Sequence, residues 1–203
     1  MKKMLLGVVA IACGALWLTG LSNAEQEGPF APNVDTATGA LRVPDNYRDW
    51  PTLGTWAHAN ADEKLEKSGP GLHEYHTVYT QPSTIAHYKK TGQFPDGAVL
   101  VKELLNAETM AMSTGLAVGH ATTVKGWFVL VRDTKGRYKD SKVWGDGWAW
   151  GLFNKEDMTH SVTKNYKAEC IPCHMPAKGL APAHAAEADK WIYTLGYPVL
   201  QKQ

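Results

Sequence analysis

The feature that most limits what this chain can fold into lies near its end, in the segment KAECIPCHMPAKG, residues 167–179. Cys170 and Cys173 are separated by two residues, and His174 follows at once. In c-type haem attachment each thiol adds across one vinyl group of the haem, and the adjoining imidazole binds the iron. The spacing therefore predicts one covalently attached haem c, held by Cys170 and Cys173, with His174 as the iron ligand.

Two other uses of a cysteine pair have less support in the sequence. A thioredoxin-like redox pair normally follows a strand near the start of a βαβ unit, and half of a zinc site would need further cysteines. The only other cysteine of the chain, Cys13, lies in an N-terminal segment that we expect to be removed. A disulfide scaffold is excluded for the same reason.

The N-terminus has the features of a secretory signal peptide. A lysine pair precedes an apolar run over residues 4–18, which is short for a membrane span, and residues 22–24 supply small side chains for cleavage. We expect cleavage after Ala24 and export to the periplasm; a lipoprotein anchored through Cys13 and an uncleaved membrane anchor are the alternatives. Loss of two lysines and no acidic residue changes the formal charge from +1 to −1. Neither a nucleic acid nor, after cleavage, a membrane is indicated as a partner.

The remaining chain is predicted to contain a leader and one domain. Residues 25–43 are polar and rich in proline and glycine, which predicts a loosely held leader, and residues 44–203 are long enough for a single domain with its own core. Apolar and β-branched runs predict strands at 53–58, 73–80, 98–105, 116–124, 126–133 and 146–153.

Helices are predicted between and after these strands. One begins at Pro82 and ends at Gly92, the haem motif opens a second, and residues 184–196 form the last. Residues 60–71 read as a charged loop, and the TKGR segment as a hairpin turn. Antiparallel strands followed by helical pieces predict an α+β domain, a mainly antiparallel β-sheet with a few helices.

The opposite axial position of the iron has no evident protein ligand. The only methionine after Cys173 is Met175, which adjoins His174 and cannot reach the other face of the haem. The upstream candidates are Met110, Met112, Met158, His58, His73, His76, His87, His120 and His160. Each of these is individually more typical of a surface or core residue, so we predict an open or water-occupied distal site. Such a site binds or transforms a small molecule, whereas electron transfer alone would need a sixth protein ligand.

Lys102 stands in a strand, AVLVKELL, that is otherwise apolar on both faces. A buried ammonium is unfavourable, so it must lose its proton, find a partner or be consumed in a bond. The alternative is an edge strand, in which Lys102 and Glu103 both extend to water.

Five segments carry a resemblance to a known family: RVPDNYRDW, HTVYTQPSTIAHYKKTGQFPDGAVLVKELL, GWAWGLF, AECIPCH and YPVL. Together they resemble the cytochrome P-460 family, which comprises periplasmic c-type haem proteins of ammonia- and methane-oxidising bacteria and their relatives. The resemblance implies a mainly antiparallel sheet, a homodimer and a five-coordinate haem. In that family a lysine in the strand after the TG-F-DG turn bonds to a haem meso carbon, and Lys102 stands at the matching position.

The resemblance also implies an activity, the oxidation of hydroxylamine at ferric iron. Nitric oxide, nitrous oxide or nitrite would be formed, and a soluble acceptor such as a cytochrome c would take the electrons. Lys102 is then both catalytic and cofactor-binding. We propose His76 as the catalytic distal base, although matched relatives carry arginine there; Glu74 and Glu103 are the reserves.

The alternative is the sister group, cytochrome c′-beta, which shares the fold and the haem motif but lacks the cross-link. Its members bind nitric oxide or carbon monoxide in an apolar distal pocket without turnover. Retention of Lys102 argues against this group. The tryptophan-rich segment WGDGWAWGLF is interpreted as core and dimer packing.

Overall fold

A computed structural model of the chain describes residues 30–59 and 71–201. An antiparallel sheet of six strands runs through these ranges in the spatial order β1-β2-β3-β4-β6-β5. The strands are β1 (Thr52–Ala59), β2 (Leu72–Thr80), β3 (Val99–Met112), β4 (Gly115–Arg132), β5 (Trp144–Gly145) and β6 (Trp148–Asn154). The helices are α1 (Pro82–Thr91), α2 (Tyr166–Glu169) and α3 (Ile171–Leu180), and short 3-10 turns occur at Tyr47–Asp49, Asp189–Trp191, Thr194–Gly196 and Pro198–Leu200. The predicted α+β class is confirmed.

Three predicted features fall on other parts of the chain. The signal peptide, the start of the leader and nearly all of the charged segment lie outside the described residues. Within the two ranges that are described, none of the helices is long and apolar enough to cross a membrane.

The longest strands form a single hairpin, and the sequence predicted them too short. β3 continues past Leu105 to a turn at Ser113 and Thr114. The two strands predicted on its far side are one strand, β4, in which Lys125 is an extra residue between the pairs formed by Val124 and Gly126. The polar end of the hairpin carries no apolar alternation because both of its faces are largely exposed, so the sequence signal fades there.

Helix α1 and the hairpin between β5 and β6 follow the local sequence rules. Pro82 is the first helical residue, and Gly92 ends the helix in the left-handed conformation, with φ of 74°. Asp146 and Gly147 form the β5–β6 turn with φ of 52° and 81°, as the Asp-Gly pair favours. The TKGR segment does not form the predicted hairpin turn, because β4 ends at Arg132 and the next strand begins only at Trp144. In this longer connection Asp133 accepts hydrogen bonds from three backbone N–H groups.

The helix predicted at residues 184–196 is wrong. The chain forms 3-10 turns there, and Ile192 between them is extended, with ψ of 132°. Asp189 is buried and accepts hydrogen bonds from Arg132 of β4 and from the backbone of Phe94. These tertiary contacts override the helical periodicity.

The loosely held leader is also wrong for residues 30–43. Ala31, Leu41 and Val43 are at most 5% exposed, and an antiparallel bridge joins Val34 to Leu41. Their burial covers one face of the sheet, which would otherwise present the apolar side chains of β3 and β4 to water.

The sheet has an apolar core on each face. One core joins the sheet to α1 and the C-terminal segment, and the other joins it to residues 30–50. Successive side chains of a strand point to opposite faces, so Trp148 and Trp150 lie in the first core and Ala149 lies in the second. The predicted core role of the tryptophan-rich segment is confirmed. Because Trp148 and Trp150 are at most 1% exposed within one chain, they cannot supply a dimer surface.

The C-terminal segment lies so close to β1 that neither Gly54 nor Gly196 has room for a side chain. A Cβ atom on Gly54 would stand 1.9 Å from the carbonyl oxygen of Gly196. We expect Gly54→Ala to lower the free energy of unfolding by about 1–3 kcal/mol, because the backbone on both sides must shift. Denaturant unfolding measures this change.

The matched control is Gly179→Ala in α3, where a Cβ atom meets nothing within 4 Å. This substitution should raise the stability by about 0.5–1 kcal/mol through the helix preference of alanine. Equal effects of the two substitutions would contradict the packing described.

Candidate functional site

A cavity of about 350 Å³ lies between the sheet and the C-terminal segment. The sheet contributes residues from five strands, among them His58, His76, Leu100, Lys102, Phe128 and Trp150. The opposite wall contains Cys170, Cys173, His174 and Tyr193. All five site residues predicted from the sequence, on β2, β3, α3 and the residue before α3, therefore line one cavity.

The turn between α2 and α3 brings the two cysteines and the histidine together. Asn165 caps α2 by accepting a hydrogen bond from the Lys167 N–H, and the Cys170 carbonyl accepts one from the His174 N–H. Residues that are three or four positions apart lie on the same side of a helix, so Cys170, Cys173 and His174 share one side. Burial raises the pKa of the Cys170 thiol to about 11. This thiol stays protonated at neutral pH, which does not suit a redox-active cysteine pair.

His174 is held in the tautomer that an iron ligand needs. Its Nδ1 lies 2.7 Å from the Trp191 carbonyl oxygen, which can only accept a hydrogen bond, so Nδ1 carries the proton and Nε2 has the free lone pair. Burial lowers the pKa of the ring and favours this neutral form. Trp191 lies two residues after Asp189, which forms a buried ion pair with Arg132 at 3.0 Å.

The wall that contains the cysteine–histidine motif and the apolar lining of the cavity together fit a haem. A cavity lined largely by apolar and aromatic side chains has two thiols and one neutral imidazole on one wall. Tyr193 fastens this wall by donating a hydrogen bond from its hydroxyl to the Cys173 carbonyl at 2.7 Å. Cys170 and Cys173 would carry the haem, and His174 Nε2 would bind its iron.

Lys102 points into the cavity from the middle of the sheet. The alternative of an edge strand is wrong, because β3 is hydrogen-bonded to β2 on one side and to β4 on the other. The Nζ atom lies 5.0 Å from the centre of the Phe128 ring, and no oxygen of the described residues accepts a hydrogen bond from it. Burial lowers the pKa of Lys102. The cavity therefore contains a largely desolvated amine.

His76 belongs to a chain of polar contacts at the cavity wall. Its Nε2 contacts Glu74 Oε1, and Glu74 Oε2 accepts a hydrogen bond from Lys125 Nζ at 2.6 Å. The His58 ring lies 4.1 Å from the His76 ring, centre to centre. Burial lowers the pKa of His76 to about 4, although Glu74 acts in the opposite direction. His76 is thus neutral at pH 7, with the proton on Nε2 and a lone pair on Nδ1.

Glu103 cannot serve as the reserve base, so that prediction is wrong. It lies on the other face of the sheet, where it is 2% exposed and accepts hydrogen bonds from Tyr47 at 2.5 Å and from Arg48. Burial and this carboxylate raise the pKa of Tyr47. The alternation along β3 separates the adjacent Lys102 and Glu103 by the thickness of the sheet.

Most candidates for a sixth iron ligand lie away from the cavity. Met110 and Met112 are about half exposed on the β3–β4 hairpin, and Met158 packs in the core on the opposite face. Of the nine candidates only His58 and His76 line the cavity. His76 is bonded to Glu74 through Nε2, and no sequence signal distinguished His58 from the other histidines.

The buried amine makes a prediction about stability. In the chain expressed without haem, we expect Lys102→Met to raise the free energy of unfolding at pH 7 by about 1–3 kcal/mol, because an unpaired polar group leaves the core. The pKa of Lys102 lies below 10.5 only in the folded state, so the unfolded state binds the proton more tightly. The advantage of the variant should therefore shrink as the pH rises towards 10. Denaturant unfolding at several pH values measures it.

Lys89→Met on the exposed face of α1 is the control and should leave the stability nearly unchanged. A loss of stability in Lys102→Met at pH 7 would mean that Lys102 makes a favourable contact in the folded protein.

Comparison with known families agrees with this geometry. A family model described as Cytochrome P460 matches residues 44–194, about three quarters of the chain, and the matched range contains all five predicted site residues. Comparison with curated proteins gave no match. The family match confirms the resemblance drawn from the sequence and supports a haem cytochrome. This chain belongs to the cytochrome P460 family.

Proposed function

We propose that this protein is an exported mono-haem c-type cytochrome that oxidises hydroxylamine at an open distal iron site. The observation that carries the proposal is the desolvated amine of Lys102, which shares a cavity with Cys170, Cys173 and His174. The haem, when bound, supplies the iron that binds and oxidises the substrate nitrogen. Nitric oxide, nitrous oxide or nitrite would be the product, and a soluble acceptor such as a cytochrome c would take the electrons.

Lys102 would be consumed in a bond to a meso carbon of the haem. A C–N bond would replace one N–H and one C–H bond, so two electrons and two protons would leave, and an oxidant of the peroxide class would accept them. A neutral amine is the nucleophilic form, and burial of Lys102 favours that form. The bond would also remove the cost of keeping an unpaired amine in the core.

His76 would act as the distal base. Its Nδ1 is free to accept a proton from the substrate, because Nε2 is already bonded to Glu74. Positive charge on the ring would be stabilised by the Glu74 carboxylate, which is in turn paired with the half-exposed Lys125. Glu74 would orient the ring and oppose the lowering of the His76 pKa by burial, and so make the imidazole a better base than burial alone allows.

A second candidate is binding of nitric oxide or carbon monoxide without turnover, as in cytochrome c′-beta. The observation that favours it is the apolar part of the cavity wall formed on the sheet by Val78, Leu100, Phe128 and Leu130. Phe128 lies beside Lys102, so it could limit access to the distal face of a haem. The two candidates differ in whether the Lys102 bond forms.

We also propose that the protein is exported and forms a homodimer. The lysine pair, the apolar run and the small residues at 22–24 have the pattern of a signal peptide, which supports export to the periplasm. A homodimer is supported by three exposed apolar side chains at the end of the β3–β4 hairpin, those of Met110, Met112 and Leu116.

The spectrum and activity of Lys102→Met test the proposed function. The native ferrous protein should show the strongly red-shifted Soret band for which the family is named, and it should oxidise hydroxylamine. The variant should show an ordinary c-type spectrum, lose hydroxylamine oxidation and still bind nitric oxide, because its iron ligand is intact. Lys89→Met should behave as the native protein. An ordinary spectrum in the native protein together with nitric oxide binding would favour the second candidate.

The distal base is tested by His76→Gln and Glu74→Gln. We expect His76→Gln to lower the turnover of hydroxylamine by roughly 10²–10⁴-fold, the usual contribution of a general base. Glu74→Gln should have a smaller effect, since it leaves the imidazole but removes the charge that stabilises its protonated form. Steady-state kinetics measures both effects, with His87→Gln on the exposed side of α1 as the control. Unchanged turnover in His76→Gln would exclude this role.

A further inference from the structure

Tyr166 is a buried tyrosine that does not line the haem cavity but is joined to it by ring contacts. Trp150 lines the cavity, and the His174 ring meets it edge to face, with centres 4.9 Å apart and an angle of 81°. On its other side Trp150 stacks nearly parallel to Tyr166, with centres 5.8 Å apart and an angle of 10°. One aromatic side chain therefore separates Tyr166 from the predicted iron ligand.

The hydroxyl of Tyr166 has a proton acceptor on the solvent side. It donates a hydrogen bond to Asp146 Oδ2 at 3.0 Å, and Asp146 is exposed at the β5–β6 turn. Gly145 permits this approach, because a Cβ atom there would lie 2.1 Å from the Tyr166 hydroxyl oxygen. Tyr166 itself is only 4% exposed. The ring is thus shielded from water, while its proton can pass to a carboxylate that is in contact with water.

This hydrogen bond matters for the redox chemistry of the phenol. Burial and the contact with Asp146 raise the pKa of Tyr166 to about 12, so the hydroxyl is protonated at neutral pH. Loss of one electron makes a phenol hydroxyl strongly acidic, so a lasting radical needs an acceptor for the released proton. A carboxylate at hydrogen-bond distance can accept this proton without movement of either side chain. The Tyr166–Asp146 pair therefore meets the chemical requirement of a redox-active tyrosine.

The two aromatic side chains that contact the ring of the iron ligand, within the described part of the chain, have only carbonyl acceptors. Tyr193 lies 5.8 Å from that ring, centre to centre, and its hydroxyl donates to the Cys173 carbonyl. The Trp150 indole N–H donates to the Gly145 carbonyl at 3.2 Å. A backbone carbonyl is too weak a base to hold a proton at neutral pH. An electron can therefore cross Trp150, but a lasting radical is favoured at Tyr166.

We infer that Tyr166 is a redox-active residue that returns an electron to the haem when hydrogen peroxide has oxidised it. Peroxide, reduced to two molecules of water, would take two electrons from the haem centre and two protons from solvent. Tyr166 would restore one electron through Trp150 and transfer its hydroxyl proton to Asp146, which leaves a neutral tyrosyl radical and a carboxylic acid. One oxidising equivalent would thereby leave the cavity. The inference requires the haem of the proposed function but not the oxidation of hydroxylamine.

Freeze-quench electron paramagnetic resonance of the haem-loaded ferric protein, mixed with hydrogen peroxide in the absence of hydroxylamine, tests the inference. The native protein should give a radical signal that narrows when ring-deuterated tyrosine is incorporated. Tyr166→Phe removes only the hydroxyl and should reduce this signal at least tenfold. Tyr193→Phe is the matched control, because it removes the hydroxyl of a tyrosine that contacts the iron ligand directly, and it should keep more than half of the signal.

Two further variants test the proton acceptor and the electron path. Asp146→Asn keeps an oxygen that accepts the hydrogen bond but is a far weaker base, and asparagine tolerates the positive φ of 52° at this position. Trp150→Phe keeps a ring that is much harder to oxidise. Each should slow formation of the radical at least threefold. The ferric absorption spectrum of Asp146→Asn should match that of the native protein, because Asp146 does not line the haem cavity. Radical formation at the native rate in Asp146→Asn would overturn its role as the acceptor.

Bleaching of the haem measures whether the oxidising equivalent leaves the cavity. Under repeated additions of peroxide, the Soret band should disappear at least twofold faster in Tyr166→Phe than in Tyr193→Phe. A tyrosyl signal that survives Tyr166→Phe, its absence from the native protein, or equal bleaching of the two variants would overturn the inference. Because no hydroxylamine is present, failure of the proposed oxidation would leave these results unaffected.

Discussion

The site depends on one amine placed where the sheet cannot solvate it. Lys102 lies on the central strand pair of β3 and β4, next to Phe128, and no oxygen of the described chain accepts its protons. Burial penalises the charged form of such a group, so folding lowers the pKa of Lys102. The buried amine shares its cavity with the Cys170, Cys173 and His174 side chains, and the proposed bond to a haem rests on this juxtaposition.

The rest of the fold fixes the two walls of this cavity. On the sheet side, the buried contacts of Glu103 with Tyr47 and Arg48 anchor β3 from the opposite face, and the side chain of Lys102 must then point into the cavity. On the C-terminal side, the Asp189–Arg132 ion pair holds the segment whose Trp191 carbonyl orients His174. Buried charge pairs outside the cavity thus help to hold the two walls that carry Lys102 and His174.

The sequence predicted the location of a residue correctly where a motif with fixed spacing or the two-residue period of a strand determines it. The Cys170–Cys173–His174 spacing and the alternation around Lys102 predicted residues that lie in one cavity, and the strand pattern predicted the fold class. The sequence patterns predicted the wrong local structure where contacts between residues distant in the chain determine the conformation. The helical pattern at 184–196 gave way to buried contacts of Asp189, and apolar residues within the polar segment 30–43 became part of a core. The pairing of His76 with Glu74, two residues apart on one face of β2, follows the strand period, but its extension to Lys125 depends on a bulge in β4 that has no sequence signal.

The most direct measurement is mass spectrometry of the haem peptides released by proteolysis of the purified protein. The account predicts that the peptide containing Lys102 stays attached to the haem together with the peptide containing Cys170 and Cys173, with a combined mass lower by two hydrogen atoms than the sum of its parts. A haem carried by the cysteine peptide alone, with the Lys102 peptide recovered free and unmodified, would contradict the account.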